Sequence, residues 1–153
     1  VTSVDSDPVV ADPAPPSTRR PARLAGTGVA ATLAAMAATT STAALARAAG
    51  ASFRVPEGGE PIPLPGFAVV TGFFSLVGVV MAVAFLRWSG RPDRHFVLAA
   101  VSLTAVSLVP PLLSGADGGT VVALVALHLV PAAVVIPTLA RSLRRGSAAP
   151  PPG

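Results

Sequence analysis

The chain contains no cysteine, lysine, tyrosine, asparagine or glutamine. Without cysteine there is no disulfide, no thiolate metal site and no thiol nucleophile. Charge is scarce as well: acidic and basic residues make up 12% of the 153 residues, against about 25% in an ordinary soluble domain. No HExxH, GxSxG, P-loop or dinucleotide-binding glycine pattern occurs, which removes the common signatures of metalloproteases, serine hydrolases, NTPases and nicotinamide enzymes. The two histidines, His95 and His128, fall at different membrane depths and do not assemble a metal site in one copy. No pair of carboxylates lies within an apolar stretch for general acid–base work. An enzyme would have to use Glu57, Glu60 or Asp93 with nothing visible to activate them, so neither an enzymatic activity nor a cofactor is expected.

What the chain does contain is apolar. Hydrophobic residues are 52% of the total and mean hydropathy is +0.69. Four uncharged stretches, Leu24–Ala46, Phe67–Leu86, Phe96–Ala116 and Gly118–Ala140, hold most of them. A hydrocarbon core about 30 Å thick needs about 20 apolar residues in a helix rising 1.5 Å each. The expected fold is therefore all-α, a four-helix transmembrane bundle over residues 23–145 with a loop at 48–66. Residues 1–22 and 146–153 are rich in proline and poor in large apolar groups. They are expected to be disordered tails, because such segments bury too little surface to offset their ordering entropy.

All 11 basic residues are arginine, and their distribution orients the bundle. Arg19, Arg20 and Arg23 precede span one; Arg87, Arg91 and Arg94 join spans two and three; Arg141, Arg144 and Arg145 follow span four. The opposite connections carry Arg47 and Arg54 in one case and Asp117 alone in the other. Positively charged short loops stay inside, so both termini are expected to be cytoplasmic in a multi-pass protein of the plasma membrane. The pI near 11.6 reflects this orientation, and no nucleic-acid partner is expected. Span one also invites reading as a secretory signal, with Arg19-Arg20 before it and Ala44-Leu45-Ala46 as a small-residue cleavage site. Its uncharged run exceeds a signal core of about 7–15 residues, and Pro21-Ala22 replace the hydrophobic pair that follows twin arginines. Retention is expected.

The spans differ in character. Span one is mostly alanine, glycine, threonine and serine, which favours close helix approach over lipid contact. Gly26, Ala30, Ala34 and Ala38 form a small-residue ridge, and Thr32, Ala35, Thr39 and Thr42 a slightly polar stripe. This helix is expected against the other three. Span two, with Phe73, Phe74, Val79, Val80 and Phe85, is the strongest inserting segment, closed by Arg87 and Trp88 at the interface. Pro110-Pro111 should stop or kink span three. Pro131 in span four frees the Leu127 carbonyl.

His128 is the ionisable side chain within a span, and intramembrane ionisable groups are functional candidates by default. It lies eight residues beyond Thr120, about 12 Å deep at 1.5 Å per residue. Similar depths on the other helices fall near Thr39, Ser75 and Ser107, so the four are expected to form a polar layer. Such a layer acts either as an interhelical hydrogen bond or as a proton relay or ligand site. The bond is favoured because no carboxylate accompanies the histidine. The loop is too apolar for a plain linker. It should fold over the bundle with Phe53, Ile62 and Leu64 at the interface and with Arg54, Glu57 and Glu60 as a polar cap. Arg87, Arg91 and Arg94 could meet anionic headgroups at about 1 kcal/mol per charge, although orientation alone accounts for them.

The run Phe53-Arg54-Val55-Pro56 through Glu60-Pro61-Ile62-Pro63-Leu64, with Gly78, Arg87, Arg91-Pro92, Pro110, His128 and Pro137, resembles a family of uncharacterised four-span membrane proteins of actinobacteria. The resemblance covers roughly residues 20–145 and implies architecture, not mechanism. The residue bias also resembles translation of GC-rich DNA, as in those bacteria. The expected role is a non-enzymatic structural or partner-binding membrane subunit, with lipid, a second copy or other membrane proteins as partners. The alternative is a small oligomeric transporter or channel built on the layer around His128. If span one is retained, the intact mass of detergent-extracted protein will include residues 24–46. A mass that begins at Arg47 would show a cleaved signal.

Overall fold

A computed structural model describes residues 19–54 and 60–147. The remaining residues, which carry most of the expected disordered tails and Glu57, lie outside the described ones. Among the described residues five helices follow in order: α1 (Arg19–Ala48), α2 (Leu64–Trp88), α3 (Pro92–Ser107), α4 (Val109–Leu112) and α5 (Gly118–Ser147). No strand occurs among the described residues, apart from an isolated bridge between Arg54 and Pro61. Four helical segments, 21–48, 64–88, 92–112 and 118–146, are long and apolar enough to cross a membrane.

Proline chemistry sets several boundaries. Pro65 and Pro92 stand in the first turns of α2 and α3, where the missing N–H would have no helical partner in any case. Pro110 and Pro111 have no N–H for the carbonyls of Val106 and Ser107, so α3 ends at Ser107 and the chain tightens into α4. The expected span to Ala116 thus ends at Leu112, as a helix interrupted at Leu108. At the other end of α1, Gly50 adopts φ +98°. The amide of Ala51 reaches the Ala46 carbonyl (2.9 Å) and that of Gly50 the Arg47 carbonyl (3.0 Å). This glycine-dependent C-terminal motif turns the chain back toward the bundle. Two expected boundaries shift. Residues 19–22 and 146–147, assigned to tails by composition, continue α1 and α5. Arginine side chains at a helix end can stay in the headgroup layer while the backbone remains helical, and proline is tolerated in a first turn.

The helices do not form a symmetric square. α1 packs on α2 and α5, α3 also packs on α2 and α5, and α1 and α3 share no contact. The expectation that span one meets all three others is therefore corrected: it meets two. α1 and α2 run antiparallel, with Gly28 against Val79 and Gly72 against Met36. α2 and α5 run parallel at the centre, with Gly78 near Val135 and Gly146 near Leu86.

The buried seam of α1 is Leu24, Gly28, Ala31, Ala35, Thr39 and Ala43. The expected ridge lies elsewhere: Gly26, Ala30 and Ala34 are exposed and Ala38 is half-buried. Small residues cover much of the helix, so residue type alone does not choose a face; the knobs on α2 do. A methyl group added to Gly28 would lie 2.6 and 2.8 Å from the two γ-carbons of Val79. The arginine-rich end of the core holds Leu24, Val79, Ala82, Phe96, Leu139 and Leu143, and the loop end holds Ala43, Phe53, Ala123, Leu124 and Leu127. Val69, Val70, Phe73, Phe74 and Val80 of α2 point outward, as an inserting helix requires.

Gly28→Ala should cost roughly 1–3 kcal/mol, the usual penalty of overpacking, because both γ-branches of Val79 oppose the new methyl. Gly26→Ala should be neutral, since nothing lies within 4 Å of the added carbon. Thermal unfolding in detergent measures both, and Val79→Ala should restore much of the Gly28→Ala loss. Equal effects of the two glycine substitutions would show that the seam is misplaced.

Candidate functional site

Two places gather the polar groups singled out by the sequence: the loop end and the level of His128. At the loop end, Arg47 in the last turn of α1 donates from Nη2 to the Ile62 carbonyl, and its guanidinium carbon stands 6.0 Å from the Phe53 ring centroid. The Phe53 ring is fully buried, with its centroid 5.0 Å from that of Phe67. Phe53 has φ +50°, a left-handed conformation that strains a bulky residue by about 1–3 kcal/mol. Burial of the ring, contributing roughly 1.5–3 kcal/mol, offsets that strain. The Ile62 amide donates to the Phe53 carbonyl (3.2 Å), so residues 53–54 and 61–62 pinch the loop shut. Ile62 and Leu64 pack on the same cluster. The loop folds over the bundle, with Phe53 inserted as a plug rather than lying at the interface.

Arg54 and Glu60 are exposed, and Glu57 lies outside the described residues. The contacts that tie the loop to the helices come from Arg47 and from a second group, Ser52, Asp117 and Thr120. Asp117 precedes α5 and caps it: Oδ1 accepts the Thr120 amide (3.0 Å) and Oδ2 the Thr120 hydroxyl (2.7 Å). The Ser52 hydroxyl donates to the same Oδ2 (3.2 Å). The hydroxyl and amide of Thr120, then the Ser52 hydroxyl, hold the Asp117 carboxyl below the usual carboxylate range, because each donor favours the charged form. These residues carried a readable signal. Asp117-Gly118-Gly119-Thr120 before an apolar run is a helix N-cap pattern, and Arg47 sits where a helix end attracts a cation.

The intramembrane layer is only partly assembled. The contact of Gly78 with Val135 sets Thr71 and Ser75 of α2 beside the stretch of α5 from His128 to Ala132. A shared groove sets Leu108 beside Leu129 and so brings Ser107 to a similar level. The hydrogen bonds, however, stay within single helices. His128 Nδ1 lies 2.7 Å from the Leu124 carbonyl; a carbonyl only accepts, so Nδ1 carries the hydrogen. The Ser107 hydroxyl donates to the Thr104 carbonyl (2.7 Å). Ser75 is buried, and Thr39, 1% exposed, holds a buried hydroxyl without a partner among the described residues. No hydrogen bond joins the four residues to one another among the described residues. The expectation that the hydroxyls satisfy the imidazole is corrected, since a carbonyl one turn back lies closer at hand.

Four apolar helices, a plugged loop end and an imidazole tied to its own backbone define a small multi-pass membrane protein. The chain belongs to DUF6069, a family of unknown function, whose model matches residues 19–145. No curated protein and no solved structure matches it.

The depressed carboxyl of Asp117 makes the loop end acid-sensitive. A group whose folded pKa lies below its unfolded value stabilises the fold at higher pH, and that stabilisation is lost as pH falls through the folded value. The thermal midpoint should therefore fall on acidification below the usual carboxylate range. Asp117→Asn should begin lower at neutral pH and respond less in that window. Parallel pH curves for the two proteins would rule out this role.

Proposed function

We propose that this protein is a non-enzymatic subunit of an actinobacterial plasma membrane, with both termini cytoplasmic, that works by packing against another membrane protein or a second copy of itself. The arginine excess at one end supports the orientation. The lack of lysine, asparagine and glutamine supports the source.

The observation that carries the partner-binding reading is the exposure of α3. Pro92 and Phe96 are its buried residues, while Leu98, Val101, Leu103 and Val106 stand outward. Beside it, an apolar groove of about 520 Å³ runs between α3 and α5, with Ala105, Ala132 and Ala133 in its walls. Small residues on a lipid-facing groove let a further helix approach closely. The transport alternative has less support. The α1–α2 seam is filled where Val79 meets Gly28 and Met36 meets Gly72, and the His128 imidazole is bonded to its own helix.

The absence of native cysteine makes single-cysteine crosslinking clean. Cysteine at Ala105 or Ala133 should give a discrete crosslinked adduct in native membranes, and cysteine at Phe74 on the far face should give none. Adducts absent at all three positions would overturn the reading. His128→Ala should leave proton flux in proteoliposomes at background, as in the parent; a flux in the parent abolished by this substitution would establish transport instead.

A further inference from the structure

The turn between α2 and α3 carries an organised polar group beside a notch. Ser89 Oγ accepts the Arg91 amide (3.2 Å) and lies 2.6 Å from His95 Nδ1. The hydroxyl still holds one hydrogen and one further lone pair for Nδ1. In the tautomer in which the hydroxyl donates, the ring carries its hydrogen on Nε2 as a donor, and a protonated ring carries one there too. Ser89 and His95 line a notch of about 360 Å³, together with Ala84, Phe85, Trp88 and Gly90. The ring of Phe85 stands 6.2 Å from that of His95, centroid to centroid.

Position and charge narrow the occupant. Trp88 is 84% exposed and ends α2, and Pro92 begins α3 two residues after Gly90. The notch therefore opens at the level where the apolar spans give way to headgroups. Its Ala84 and Phe85 wall continues up α2 toward the hydrocarbon. Arg87, Arg91 and Arg94 are exposed and lie within four residues of its lining residues in sequence, and no ion pair involves them among the described residues. Asp93 is the one acidic residue in this connection, which leaves it net positive. A polar rim with a donor, an apolar wall directed into the bilayer and uncompensated cationic charge together match one amphipathic ligand class.

We propose that the notch at the α2–α3 turn binds the phosphate of an anionic phospholipid, with His95 as hydrogen-bond donor and Arg91 and Arg94 supplying the charge. The assignment rests on the chain spanning a membrane and is independent of any protein partner at the α3–α5 groove. Trp88 is the single tryptophan of the chain and reports on the site directly. The full chain is reconstituted in phosphatidylcholine vesicles, and either brominated phosphatidylglycerol or brominated phosphatidylcholine is added at equal mole fraction. Quenching of Trp88 should show a preference for the anionic lipid of about fivefold, the size expected for one well-placed charge. Arg91→Gln with Arg94→Gln should bring the ratio close to one, and His95→Ala should lower it. Arg141→Gln with Arg144→Gln removes the same charge at another helix end and should leave most of the preference. No preference in the parent protein would overturn the proposal. An equal loss from the Arg141 and Arg144 changes would reduce it to general surface charge and overturn it too. Loss of the preference on adding inorganic phosphate, but not chloride at matched ionic strength, would assign the notch to free phosphate and overturn the lipid assignment. The charge-changing variants alter exposed side chains, and retained helical circular dichroism will show that each is folded.

Discussion

In a hydrocarbon core each backbone amide and carbonyl must find its partner within its own helix, and the details of this bundle descend from that demand. Polar side chains follow the same rule. The hydroxyls of Thr32, Thr40 and Thr42 in α1, Thr104 in α3 and Thr138 in α5 each donate to the carbonyl one turn back. His128 does likewise through Nδ1. With these polar groups satisfied inside single helices, the helices are held together mainly by shape. That is why Gly28 under Val79 matters more to the fold than a hydroxyl stripe on the same helix. Thr39 of α1 and Thr71 and Ser75 of α2 are buried hydroxyl residues outside the pattern among the described residues.

Outside the hydrocarbon the logic reverses, and polar contacts between segments become the organising force. The loop after α1 is held by Arg47 on the Ile62 carbonyl and by Ser52 on the Asp117 carboxylate. The second contact joins the loop to the start of α5, so one carboxylate both caps a helix and fixes a loop. The strained Phe53 is kept in place between these ties, its ring against Phe67. At the opposite end no comparable plug occurs among the described residues. There the α2–α3 turn is fixed by Ser89 and His95, and the surrounding arginines are left exposed.

The two ends frame an asymmetric bundle. α2 and α5 form a central parallel pair, α1 closes one side with small side chains, and α3 lies on the other side with most of its surface outward. An exposed apolar helix carries no cost in lipid, where tails are as apolar as leucine, so the fold tolerates a loosely covered α3. The same tolerance leaves a groove with alanine walls where a further helix fits.

Much of this was legible from residue order alone. The number of apolar helices, the break before Pro110-Pro111 and the outward Phe73 and Phe74 of α2 follow from length, hydropathy and proline chemistry. These are properties of one helix in lipid, and one helix can be read by itself. The face of α1 that is buried was not legible, because Gly26, Ala30 and Ala34 are as small as Gly28, Ala31 and Ala35. Only the position of Val79 and Met36 on a neighbouring helix distinguishes them. Nor did the order of residues show that Asp117 receives Ser52, that Arg47 and not Arg54 alone secures the loop, or that Ser89 meets His95. Hydrogen bonds between segments depend on directions to within a few tens of degrees, and those directions exist only once α2 and α5 are packed side by side.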